Sequence, residues 1–131
     1  MSNPLHGADF FALEAGECLD HLEQLTTRPD GPPPDEMLRY ARALRGSALM
    51  AGHPAIARAA AGLEQLARAL RDGSRSWDAA VRERSGQAID EFRQLVRRSR
   101  DWTSADSAQS YQIFALSRLR APLMIDIEPI S

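Results

Sequence analysis

Residues 40–52 read Tyr40-Ala41-Arg42-Ala43-Leu44-Arg45-Gly46-Ser47-Ala48-Leu49-Met50-Ala51-Gly52, and the reading of this stretch decides the fold. With Met37 just upstream, the small and apolar residues Met37, Ala41, Leu44, Ala48 and Ala51 step 4, 3, 4, 3 along the chain. That is the spacing of one face of an α-helix. Arg39, Arg42 and Gly46 follow the same periodicity on a different face, which predicts a solvent-facing stripe. Asp35 is the expected N-cap and Gly52 the expected stop, giving a helix over 35–51.

Working outward, three more segments carry the same pattern. Upstream, Phe11, Ala15, Cys18, Leu22 and Leu25 predict a helix over 8–25, ended by the proline-rich stretch Arg28-Pro29-Asp30-Gly31-Pro32-Pro33-Pro34. Downstream, Pro54 suits a first helical turn, and Ile56, Ala60, Leu63, Ala67 and Leu70 predict a helix over 54–72 closed by Gly73. Val81, Ser85, Ala88, Phe92 and Leu95, widened by Ile89 and Val96, predict a fourth over 78–101. A less regular fifth segment, about 104–120, contains Tyr111, Ile113, Phe114, Leu116 and Leu119. The expectation is an all-α fold, an antiparallel four-helix bundle with a fifth helix, spanning 8–120 between a short N-terminal tail (1–7) and an extended C-terminal tail (121–131).

Composition narrows the function. The chain has 131 residues, 44% of them hydrophobic, which suits one domain with a core of its own. Net charge is −2, so no global attraction to nucleic acid or anionic membrane is expected. Arg93, Arg97, Arg98 and Arg100 are expected to form a solvated basic end of the fourth helix, offset by Asp90, Glu91 and Asp101. The single Cys18 allows no internal disulfide, and His6, His21 and His53 have no metal-binding spacing. His21 is expected to partner Glu17 in solvent, and His53, at the junction between Gly52 and Pro54, to cap a helix or lie in a solvent-exposed loop. Trp77 and Trp102 are read as packing anchors. No metal or cofactor is expected. Without a basic region ahead of a long apolar run, no signal peptide is expected, and a cytoplasmic setting is.

The stretch around residue 42 also resembles a known signature. Histidine-phosphotransfer (HPt) domains carry His-x-Leu-Lys-Gly-Ser-Ala followed by Gly. Here Leu44, Gly46, Ser47, Ala48 and Gly52 match, Arg45 stands for the lysine, and Arg42 stands where the phosphorylated histidine belongs. Leu63-Glu64 resembles a pair in the next helix. The stretch from Phe11 to Glu23 is similar to the first helix of the phosphotransfer domain of chemotaxis-type histidine kinases.

The resemblance spans roughly residues 8–73. It implies a non-catalytic module of bacterial two-component phosphorelay whose partner is a response-regulator receiver domain or a histidine kinase. Arg39, Arg42, Arg45, Gly46, Ser47 and Glu64 would form its partner-binding face, with Glu64 pairing with Arg42 across the helices. Guanidinium has no free lone pair near neutral pH, so phosphotransfer at position 42 is not expected. Two alternatives stay open: a relay using His53, and a helical adaptor or dimerisation bundle unrelated to phosphorelay.

Overall fold

The computed structural model describes residues 7–118, and among them all the regular secondary structure is helical. The helices are α1 (Gly7–Thr26), α2 (Pro34–Met50), α3 (Pro54–Asp72), α4 (Ala79–Arg97) and α5 (Ser104–Phe114), with a 3₁₀ turn over Ala115–Arg118. Short connections make successive helices of the bundle antiparallel neighbours, and α4 closes the bundle by packing on α1. The fold expectation holds. The expected extended tail at 121–131, Leu119, and the N-terminal tail up to residue 6 lie outside the described residues.

The core follows the apolar stripes. Met37, Ala41, Leu44 and Ala48 of α2 are completely buried, as are Ile56, Ala60, Leu63 and Ala67 of α3. Every expected inner residue of α4, from Val81 to Val96, is buried. The fully buried alanines let α2 and α3 approach closely, and this is the most extensive helix pairing in the molecule.

Several details differ from the sequence reading. Cys18 is only half-buried, and Leu19 takes the fully buried place on α1. Ala51 is exposed because α2 stops at Met50, and Leu70 is half-buried. Asp35 is not the N-cap of α2. Pro33 holds that place without a side-chain bond, because proline's fixed φ lets the helix begin at Pro34. Asp35 instead sits in the first turn, where its charge suits the helix dipole.

At the other end α4 stops at Arg97, because Arg98–Asp101 turn toward the start of α5. Thr103 and Asp106 form a capping box there: Asp106 N–H donates to Thr103 Oγ1 (3.3 Å), and Thr103 N–H donates to Asp106 Oδ2 (3.1 Å).

Two glycines enable close packing. Gly31 has φ +91, a left-handed conformation that disfavours side chains, and a β-carbon there would sit 2.7 Å from Trp77 Cγ. Gly62 on α3 has no room for a β-carbon, which would sit 2.3 Å from the Ile113 carbonyl oxygen. With Arg58 Nη2 donating to Ser110 Oγ (3.1 Å), this runs α5 alongside α3 in the same direction. Ile113 and Leu116 are buried by that docking, while Tyr111 stays exposed and stacks under the Arg58 guanidinium.

Candidate functional site

The exposed face of α2 is where the sequence placed its candidate residues. Arg42 is 56% exposed, as the helical periodicity requires. One turn on, Gly46 stands in open space: a β-carbon added there would meet no other heavy atom within 4 Å. Glycine in a helix interior costs about 1 kcal/mol relative to alanine, so nothing in the packing accounts for it.

Glu64 reaches this face from α3, and its side chain is only 3% exposed. A buried carboxylate must be paired. Arg45 provides the tightest pair, its Nε donating to Glu64 Oε2 and its Nη2 to Oε1. Arg68, one turn further along α3, adds a contact from Nη2 to Oε1 at 3.4 Å. Arg42 Nε lies 4.0 Å from the same oxygen. The hydrogen bond to Glu64, and then its charge, push the Arg45 guanidinium above its already high pKa. Three guanidiniums thus surround one carboxylate, leaving a local charge of +2 at the surface.

The remaining candidates are close by but separately engaged. Arg39 turns to its neighbour, donating from Nη2 to Tyr40 Oη (2.9 Å) with its guanidinium over the Tyr40 ring. Ser47 faces α1 and donates to Glu14 Oε1 at 2.8 Å. Arg42, Arg45 and Glu64 therefore come together, with Gly46 beside them; Arg39 and Ser47 point elsewhere along the same helix.

Sequence reasoning missed two parts of this surface. Arg68 was recoverable, since Glu and Arg four residues apart on a helix are natural partners. The second part is apolar. Phe10, Leu13, Leu49 and Met50 are all more than half exposed, Met50 at 91%. Phe10 and Met50 border one shallow depression with Glu14 and Ser47, and Met50 borders a second with Cys18, Ala43 and Gly46. The arginine-bearing middle of α2 thus gives way, toward its C-terminus, to an edge shared with α1 where these apolar residues lie beside Glu14 and Glu17. Apolar residues off the core stripe of a helix were the available signal. Cys18, at the floor of this edge, has its thiol pKa raised by burial and by Glu14 and Glu17.

The histidines are occupied elsewhere. His53 Nε2 lies 2.9 Å from the Ser99 carbonyl oxygen, which only accepts, so Nε2 carries the proton. Its ring packs edge-on to Trp102 (4.8 Å) and stacks beside Phe11 (6.3 Å). It fills the N-cap position of α3 without a side-chain cap. His21 does not pair with Glu17; it stacks flat on Tyr40 at 4.3 Å, because α2 brings that ring over α1.

The basic end of α4 is not simply solvated either. Arg93 bonds Glu23 (2.6 Å) and Asp20 (3.0 Å) of α1, and Arg98 contacts Asp106 of α5 at 3.2 Å. Asp90, Glu91 and Asp101 are not their partners; Glu91 pairs with Arg84 instead.

A family model described as the Hpt domain matches residues 8–102, ending just before α5. No curated protein and no solved structure matches the chain. With the matched span covering α1 to α4 and the exposed face of α2 built as described, the chain belongs to the Hpt domain family, the helical modules of phosphorelay signalling.

Proposed function

We propose that this domain is a degenerate Hpt module of bacterial two-component signalling, one that docks a receiver domain without accepting phosphate. What supports the reading is the exposure of Arg42 on α2, at the position that the sequence resemblance aligns with the family's phosphoacceptor. An imidazole there would offer a nucleophilic nitrogen near neutral pH. A guanidinium stays protonated and has no nucleophilic lone pair, so it serves only as a cation. Around it the surface keeps what docking needs: open space at Gly46 and an apolar edge of Leu49, Met50, Phe10 and Leu13. The charge of +2 around Glu64 complements the aspartate cluster that the family's receiver partners present.

A relay through His53 has less in its favour. Its Nε2 is engaged with Ser99 and its ring is packed against Trp102, which leaves only Nδ1 with a lone pair, in a half-buried junction. It is less exposed than Arg42.

Binding of the full chain to a panel of receiver domains tests the proposal. At least one receiver binds the wild type, with affinity falling as salt rises. Arg42→Glu weakens that binding at least about tenfold, because like charges brought together at an interface cost several kcal/mol. Gly46→Phe blocks approach while the helix stays folded by circular dichroism. If no receiver binds, or both variants bind as the wild type does, the adaptor reading replaces this one.

A further inference from the structure

We infer that this face tells the phosphorylated form of its partner from the unphosphorylated form, with the Arg42 guanidinium receiving the phosphoryl oxygens. The inference rests on the receiver-docking reading above and adds the state of the partner to it.

The argument begins with how the arginines divide Glu64 between them. Arg45 holds both carboxylate oxygens, and Arg68 holds one at 3.4 Å. Arg42 is left at 4.0 Å, an ion-pair distance too long for a hydrogen bond. Among the described residues it donates no hydrogen bond, although Arg39 on the same face is committed to Tyr40. Arg42 is therefore steered by Glu64 without being consumed by it. Its planar fork stays available at the surface, which is the geometry that binds phosphoryl oxygens in pairs.

Charge points the same way. Arg42, Arg45, Arg68 and Glu64 together carry +2, and a phosphoryl group carries about −2 with several strong acceptor oxygens. Phosphorylation replaces one carboxylate of the partner's aspartate cluster by such a group, so the loaded form brings about one more negative charge to this cationic cluster.

Reach and access complete the case. Arginine is longer than histidine, so from the same backbone position its terminal nitrogens extend further toward a partner's phosphoryl oxygens. Gly46, with no atom within 4 Å of where a β-carbon would stand, leaves the partner's backbone free to close in. No covalent step follows, because the guanidinium cannot take the phosphoryl group. The partner's phosphoryl is covered by a cation and stays on the partner.

Titration calorimetry of the full chain against each receiver of the panel, unphosphorylated and loaded with beryllofluoride as the phosphoryl mimic, tests this. The loaded form of a bound receiver has a Kd at least about tenfold lower, the scale of hydrogen bonds to charged groups. Arg42→Gln abolishes that difference, whatever it does to absolute affinity. Arg82→Gln, on α4, which makes no contact with α2, preserves it. Equal affinity for both forms, or a difference that survives Arg42→Gln, overturns this inference and leaves the docking proposal standing. Absence of binding to either form of any receiver overturns both.

Discussion

Asp106 and Glu64 are both nearly inaccessible carboxylates, 1% and 2% exposed, but they are satisfied in different ways. Asp106 draws on its own neighbourhood: the Thr103 backbone N–H, the Thr103 hydroxyl, and Arg98 just upstream. Glu64 receives hydrogen bonds from Arg45 of α2 and Arg68 of α3, with Arg42 of α2 at ion-pair distance only. The first arrangement closes on itself and defines where α5 begins. The second pins α2 to α3 and leaves guanidiniums at the surface with charge to spare. Similar burial therefore serves a helix start in one place and the joining of two helices beneath an exposed cationic surface in the other.

The largest effect on stability should come from breaking the Glu64 group at its tightest contact. Arg45→Ala removes the donors that hold both carboxylate oxygens, so a buried acceptor is left poorly paired. The expected loss is about 1–3 kcal/mol in urea unfolding. A loss near zero would mean that Arg42 and Arg68 swing in to replace it. At the other carboxylate, Thr103→Ala removes a cap and should cost about 1 kcal/mol, read as protection lost in α5 by hydrogen exchange.

Asp106 also ties stability to pH. Burial pushes the Asp106 pKa up, but the hydrogen bonds from Thr103 and the charge of Arg98 outweigh it and hold the carboxyl below its ordinary value. A group whose pKa is depressed by folding contributes stability above its unfolded value. Here that contribution is whole at neutral pH, declines below about 3.9, and is lost as pH falls through the depressed value. Arg98→Gln should flatten this acid limb in a stability–pH series. A limb of unchanged steepness would show that Thr103 alone sets the shift.

The smallest stability effect belongs to Arg42. It is more than half exposed and farthest of the three arginines from Glu64, so Arg42→Ala should change unfolding free energy by no more than about 0.5 kcal/mol. A larger loss would mean that Arg42 is structural, like Arg45, and would weaken its assignment as the free cation of the face.

How much of this was legible in the chain depended on range. The α4 stripe from Val81 to Leu95 was fully readable, because one uninterrupted period of apolar residues met one interior. On α1, Cys18 and Leu19 are adjacent, and periodicity could not decide between them. The choice is made by where α2 and α4 lie, which places Leu19 inward and Cys18 at the rim. Gly62 gave no local sign of its purpose, since only the docked α5 backbone shows why a β-carbon is excluded. The same holds for Arg93, whose partners Asp20 and Glu23 lie some seventy residues away. At the candidate site, Arg42 and Gly46 were visible from helical spacing and motif. The division of labour among Arg42, Arg45 and Arg68 was not, because it depends on distances between two helices.

The central claim is that this Hpt domain keeps the docking face and lacks the phosphoacceptor. Transfer from a radiolabelled phosphoreceiver that binds the chain tests it most directly. The account predicts no acid-labile phosphate on the wild type, and none on His53→Ala. In Arg42→His, which restores the signature beside Glu64, label is expected to appear. Acid-labile label on the wild-type chain, and above all label that disappears in His53→Ala, would contradict the account.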